Sequence, residues 1–356
     1  MTKTAERVQL REASRRLSGG RRPSPAELLR DGASYCEAGG VDWDEPVRER
    51  FEARVAKLLG YPAARFLPSG TMAQSVALRI WCERARVATV GMHPTSHVEL
   101  HEARGYAHLF HLQARLIGPR DRPMLAHHVD AVKEPLGALM TELPIREAGG
   151  QLPTWDQLEA LKAAARQRGV RLHVDGARLW CCGEAYGRPL SDITRGFDSC
   201  YVSFYKSVGA LPGAMLLGPE DFVAEAAVWQ RRMGGDLHTL VPNVVTAAMR
   251  LDHALDAMPR RLKGARALSA ALAGLPGLQA FPDPPHTPMF HVILDLARQD
   301  AFSARDQVAR ETGIWLFSGL MDGPAPGTTR FELTIDEGTL DLDPGDVRRA
   351  FESLLG

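Results

Sequence analysis

Val170-Arg171-Leu172-His173-Val174-Asp175-Gly176-Ala177-Arg178 is the stretch whose reading decides the fold. Its first half reads as a buried strand that ends in a carboxylate, and Gly176 turns the chain away at once. Further on, Ser199 to Phe204 reads as a second buried strand, and Tyr205-Lys206-Ser207-Val208-Gly209 carries it into a glycine-containing loop. Pro153 to Gly169 reads as a helix that closes on a glycine before the first of these strands. Strands alternating with helices predict a mostly parallel sheet whose strand ends share one rim, which places Asp175 and Lys206 along the same edge.

The two residue types make a chemical pair. A lysine amine can condense with an aldehyde cofactor and hold it ready for exchange with an amino acid. A carboxylate beside a pyridine nitrogen keeps that nitrogen protonated, so the ring can accept electrons from a breaking bond. Each residue also has an ordinary reading taken alone: Asp after a strand is a common turn or cap residue, and a loop Lys is usually solvated.

The words around them carry a resemblance. Leu172 to Leu179 resembles the His-x-Asp-Gly-Ala-Arg segment of the threonine aldolase and β-eliminating lyase family. Phe66-Leu67-Pro68-Ser69-Gly70-Thr71-Met72-Ala73 is similar to that family's phosphate-loop segment, and Lys206 to Gly213 is similar to its lysine loop. The resemblance runs from about Val41 to the C-terminus, in the family's order. It implies pyridoxal 5'-phosphate (PLP) as cofactor and the fold-type-I α/β architecture: a large domain with a mostly parallel sheet between helices, and a small C-terminal α+β domain. The expected division is an N-terminal arm over residues 1–40, a large cofactor-binding domain over 41–259 and a small domain over 260–356. The arm is expected to lie across a partner subunit, in a homodimer or homotetramer.

Composition bounds the rest. The chain has 356 residues, 45% of them hydrophobic and 24% charged, which suits a soluble globular protein with two cores. Lys plus Arg equals Asp plus Glu at 43 each, so net charge favours neither nucleic acid nor an anionic membrane as partner. No apolar run reaches the ~20 residues of a membrane helix. Arg15-Arg16 and Arg21-Arg22 precede no apolar stretch, so a secretory signal is not expected. Cys36, Cys82, Cys181, Cys182 and Cys200 lack paired zinc spacing and suit reduced thiols in a cytoplasmic protein. Gly19-Gly20 with Pro23 and Pro25 break the N-terminal segment.

Helices are expected from Pro46 to Leu59, Met72 to Cys82, Asp221 to about Arg232 and Val244 to Leu262, the last bridging the domains. Gly213 to Gly218 reads as a strand returning after the lysine loop. The small domain is expected to hold strands near Met289–Leu294 and Arg330–Thr334 and a final helix from Gly345 to Leu355. Ser69, Gly70 and Thr71 open the second helix, where unpaired N–H groups and the dipole favour a phosphate. The ordinary alternative is a plain N-cap.

The resemblance extends to the substrate. Arg178 matches the family's Arg that binds the substrate carboxylate, a task suited to a planar two-pronged guanidinium. Arg330 resembles a second such Arg, or is a surface strand residue. His97, after Ser96, matches the imidazole that stacks on the cofactor ring, and a base there can help move the substrate hydroxyl's proton. Glu102 and Glu142 fall near acidic positions without an assignable role. A rival reading uses His93, His97 and His101 at four-residue spacing, with Glu102 adjacent and His108, His111, His127 and His128 following, as ligands of a metal-dependent hydrolase. Pro94 interrupts the helix that reading needs, and it leaves Lys206 unused, so no metal is expected.

Several residues depart from the family's pattern. No counterpart of its N-terminal Arg-Ser-Asp-Thr is present, Asp42-Trp43 stands before Asp44-Glu45-Pro46 where Tyr-Gly is usual, and Tyr205 replaces a Ser. Gly234-Gly235-Asp236-Leu237-His238 lacks an Arg, and Glu142-Leu143-Pro144-Ile145-Arg146 stands where Glu-Asn-Thr-His is frequent. The implied reaction is retro-aldol cleavage of a threonine-like β-hydroxy-α-amino acid to glycine and an aldehyde. The same scaffold also supports β-elimination from another amino acid.

Overall fold

The structure, a computed structural model, describes residues 3–17, 23–39, 41 and 46–356. The expectations for Gly19-Gly20, Arg21-Arg22 and Asp42-Trp43-Asp44-Glu45 lie outside the described residues. Two compact units are present. One comprises Pro23–Glu147 and Leu152–Asp256, and the other the described part of residues 1–22, Ala148–Gln151 and Ala257–Gly356.

The larger unit is built on a seven-stranded sheet. Its strands are β1 (Ala63–Leu67), β2 (Thr89–Met92), β3 (Gln113–Leu116), β4 (Ala138–Glu142), β5 (Arg171–Gly176), β6 (Ser199–Ser203) and β7 (Ala214–Gly218). The order across the sheet is β1-β7-β6-β5-β4-β2-β3. Strands β2 to β6 pair in parallel, while β7 runs antiparallel to both β6 and β1. Every residue of β4, β6 and β7 is buried, as expected of central strands covered on both faces. Edge strand β3 is mostly exposed.

The helix Gly70–Ala85 covers one face, longer at both ends than its apolar periodicity alone indicates. Gly70 through Ala85 contains no breaker, and the chain stops at Arg86, whose left-handed backbone closes the helix as a glycine usually would. Trp81 stacks on Phe222 with ring centroids 4.6 Å apart. Both belong to a core that also takes Leu67, Val76, Ile80 and Met140. Burying a side chain the size of Phe222 contributes roughly 1.5–3 kcal/mol. That core fixes the height of the helix N-terminus relative to the strand ends. Register sets the carboxylates: Glu142 on β4 pairs with Asp175 on β5, and Asp175 pairs with Tyr201 on β6.

The smaller unit has a four-stranded antiparallel sheet in the order Met321–Asp322, Thr329–Thr334, Met289–Leu294, Leu278–Phe281. Its core includes Phe290, Val292, Phe317, Phe331 and Phe351. Arg15–Arg16 pairs in parallel with Ile314–Trp315. The helix expected over Val244–Leu262 runs instead from Val241 to Leu272, with Pro259 inside it. Its extension, Lys263 to Leu272, is rich in Ala, Leu, Lys and Arg, which continue a helix at little cost. The division between the units falls within this helix, between Asp256 and Ala257.

Candidate active site

The site residues of the larger unit gather at the C-terminal ends of β4, β5 and β6. Asp175 is almost fully buried, and its Oδ1 accepts a hydrogen bond from the Ala177 N–H at 3.0 Å. Burial raises its pKa, opposed by the positive charge of Lys206 and then by Ala177, Arg178 and Gln74. Lys206 follows β6. Some of its surface remains open, yet its ammonium is deep enough that burial is the largest influence and lowers its pKa. Asp175 and Glu142 act to raise it, Arg178 and Arg146 to lower it further. A lysine so placed carries more neutral, nucleophilic amine at neutral pH than a solvated one.

Glu142 is buried beside Asp175 and accepts from the Arg146 N–H at 3.1 Å. Burial, then the neighbouring Asp175, pushes its carboxyl up to about 8. Glu102 is pushed up to about 7, by burial and then Asp175, against a hydrogen bond from the Thr71 side chain and the charge of Lys206. Its Oε2 is buried without a hydrogen-bond partner. His97 is lowered to about 4 by burial and by the charges of Lys206, His101, Arg146 and Arg178, so its ring is neutral at physiological pH. Three basic side chains (Lys206, Arg178, Arg146) thus share one electrostatic cluster with three carboxyls (Asp175, Glu142, Glu102).

At the N-terminus of Gly70–Ala85, the Ser69 side chain accepts from the Met72 N–H at 3.2 Å, so the plain N-cap is present. Gly70 is required by its neighbour: an added Cβ would lie 2.0 Å from the Tyr201 hydroxyl oxygen. Thr71 is exposed and joins the cluster through Glu102.

The structure therefore brings together Ser69, Gly70, Thr71, His97, Asp175, Arg178 and Lys206 within one unit. Arg330 belongs to the other unit, on Thr329–Thr334, with Nη1 3.4 Å from His291 Nδ1. Arg146 and Gln74 enter the cluster unannounced by the sequence; Arg146 stood out there only as a departure in the Glu142 segment. Tyr201 was legible as a strand residue, but its contact with Gly70 depends on sheet register.

The histidine-rich segment is differently employed. His93 Nδ1 lies 2.8 Å from Thr95 Oγ1 and its Nε2 lies 2.9 Å from the Arg122 carbonyl. His101 Nε2 pairs with Glu147 at 2.8 Å. Among the described residues no group of three or more His, Cys, Asp or Glu is placed to hold a metal ion. No helix among them is long and apolar enough to cross a membrane.

A buried carboxylate, a desolvated lysine and a helix N-terminus along the rim of a mostly parallel α/β sheet define a class of cofactor-dependent enzyme. Residues 40–297 match the family described as Beta-eliminating lyase, and the chain belongs to that family. It is 26% identical over 310 residues to low-specificity L-threonine aldolase 1 of Arabidopsis thaliana, covering 83% of this chain and 85% of that one. A structure from Listeria monocytogenes EGD-E named for L-allo-threonine aldolase matches with a TM-score of 0.90 at 31% identity, over 98% of this chain and 97% of the other. One from Exiguobacterium sp. 255-15, named for aromatic amino acid beta-eliminating lyase/threonine aldolase, matches with a TM-score of 0.91 at 34% identity over 98% of each chain. The architecture is accordingly that of the threonine aldolases, α/β with a mostly parallel central sheet, as the strand pattern predicts.

Proposed function

We propose that this chain is a PLP-dependent lyase that cleaves the Cα–Cβ bond of a β-hydroxy-α-amino acid, releasing glycine and an aldehyde. The observation that carries the reading is Lys206 and the buried Asp175 acting on each other's charge at adjoining strand ends, in a chain of this family. The residues present fit the cofactor. Lys206 offers an amine to its aldehyde, Asp175 a carboxylate to its ring nitrogen, and Ser69, Gly70 and Thr71 the helix N-terminus to its phosphate. The partnerless buried Glu102 Oε2 marks polar capacity that the protein alone does not satisfy.

When bound, PLP supplies an electron sink for the carbanion left at Cα. The protein's part is positioning and proton handling. Arg178 grips the substrate carboxylate and so sets which bond at Cα is aligned for cleavage. His97, neutral and next to Lys206, offers an imidazole face to the ring and a nitrogen to the β-hydroxyl proton. Glu102, poised near neutrality, can hold or return a proton within the same cluster. A homodimer or homotetramer in the cytoplasm, acting on a small amino acid, completes the reading; the five unpaired cysteines support a reducing compartment.

The test is to load the protein with PLP, add L-threonine, record the visible spectrum and assay glycine. Glycine with an equal yield of aldehyde is expected. Pyruvate and ammonia in their place would move the chain to β-elimination, the reaction its family is named for. Lys206→Ala is expected to remove both turnover and the visible band of the cofactor, and turnover that survives would sink the mechanism.

A further inference from the structure

Behind Asp175 runs a line of buried polar groups that cleavage itself does not employ. Trp81 Nε1 donates to Ser199 Oγ at 2.7 Å. Ser199 Oγ lies 2.8 Å from His173 Nδ1, and His173 Nε2 lies 2.7 Å from Gln74 Oε1. All four residues are buried, His173 and Ser199 completely. The placement follows from the elements. Gln74 and Trp81 stand seven residues apart on one helix and so share a face. His173 and Ser199 are register partners on β5 and β6, and Asp175, two residues beyond His173, projects from the same face of the sheet.

The far end of Gln74 is the informative atom. Its Nε2 is buried with no hydrogen bond of normal geometry, yet it lies near enough to Asp175 to favour the charged carboxylate. It is a donor beside an acceptor, not yet in line with it, and native folds seldom leave such a group without use. Its direction is set by the chain behind it. His173 is held neutral by burial, its pKa pushed down to about 3, so one ring nitrogen donates and the other accepts. The Ser199 main-chain carbonyl also attracts a ring proton, so the strand by itself does not choose the tautomer. Asp175 chooses it. With the proton on His173 Nε2, Gln74 accepts through Oε1 and turns its NH2 to the carboxylate; the reverse arrangement would set a carbonyl oxygen against it.

We propose that Gln74, held by His173 and Ser199, is a positioning residue for Asp175: the chain locks the amide with its donor end on the carboxylate and keeps that carboxylate ionised and aimed at the cofactor's ring nitrogen. The inference rests on the PLP reading of the site. Without the amide donor the shared proton moves from the ring nitrogen to Asp175, and the ring loses its capacity to withdraw electrons.

The test is nitrogen NMR on the PLP-loaded protein, with ¹⁵N in the histidine rings and in the pyridine ring of the cofactor. Neutral His173 protonated on Nε2, with a protonated pyridine nitrogen at neutral pH, is expected. A proton on His173 Nδ1 overturns the chain, and it does so in the wild type, whether or not any variant folds. Gln74→Met keeps the side-chain volume and removes both polar atoms. It is expected to weaken PLP binding roughly tenfold and to move the pyridine signal toward the unprotonated position. An unmoved pyridine signal in that variant overturns the positioning role. Failure of the wild type to take up PLP is a separate result, which overturns the cofactor reading itself.

Discussion

Arg178 illustrates how much one side chain's shape can decide. It stands three residues beyond Asp175, in the loop after β5, and its charge is felt by Lys206, His97 and Glu142. Arg178→Lys would preserve that charge while losing the two-pronged grip on a carboxylate. The KM for the amino acid is therefore expected to rise on the order of tenfold, with a smaller change in kcat and an unchanged spectrum of bound PLP. Steady-state kinetics beside an absorbance spectrum checks this, and an unaltered KM would remove Arg178 from substrate binding. Residues of this kind were legible from sequence because the Asp-Gly-Ala-Arg run sits on one strand end and needs no distant partner. Gln74 and Arg146 were not, since each reaches the site only through the packing of a separate element against β5 and β6.

At the scale of elements, the helix Gly70–Ala85 is positioned by contacts at its first residue. Gly70 has no room for a methyl group, because the Tyr201 ring lies against it; a Cβ would stand 2.5 Å from Tyr201 Cζ. Gly70→Ala is expected to destabilise the fold by about 1–3 kcal/mol, the usual range for an overfilled interior. In a Tyr201→Leu background most of that cost should vanish, since the two changes share one contact. Urea midpoints of the four proteins measure the coupling, and strictly additive losses would show that the helix is placed by something else. The sequence foretold the strands and the order of elements well, because buried strands announce themselves as unbroken apolar runs. It understated the long helix at Val241–Leu272, where apolar periodicity fades after Leu262 although helix-forming residues continue. It was silent on the contact between Gly70 and Tyr201, since which strand residue faces a helix terminus is a matter of sheet register.

The cluster's charges also act on the molecule as a whole. In the unfolded chain Glu102 and Glu142 titrate near 4.5, whereas in the fold they are raised to about 7 and about 8. The native state therefore binds more protons than the unfolded state across that interval, and its stability falls as pH rises through it. His97 and His173 work in the opposite sense. Lowered to about 4 and about 3 from an unfolded value of 6.5, they make the unfolded state the greater proton binder below 6.5, so stability there rises with pH. Below 6.5 the two effects oppose one another, and between 6.5 and about 8 the two strongly raised carboxyls outweigh the lowered Lys206, which acts in the opposite sense. The protein without cofactor is thus expected to lose thermal stability steadily from pH 6.5 to 8, by several degrees in Tm. Glu142→Gln should flatten that slope, because the amide occupies the same buried position without a charge to acquire. PLP should oppose the loss in the wild type by binding only the folded state, to an extent that grows with its concentration. Calorimetric scans at a series of pH values, with and without PLP, measure both effects. A slope that Glu142→Gln leaves unchanged would mean that this carboxyl is already ionised in the folded protein, held so by Arg178 and Lys206 against the burial that raises it.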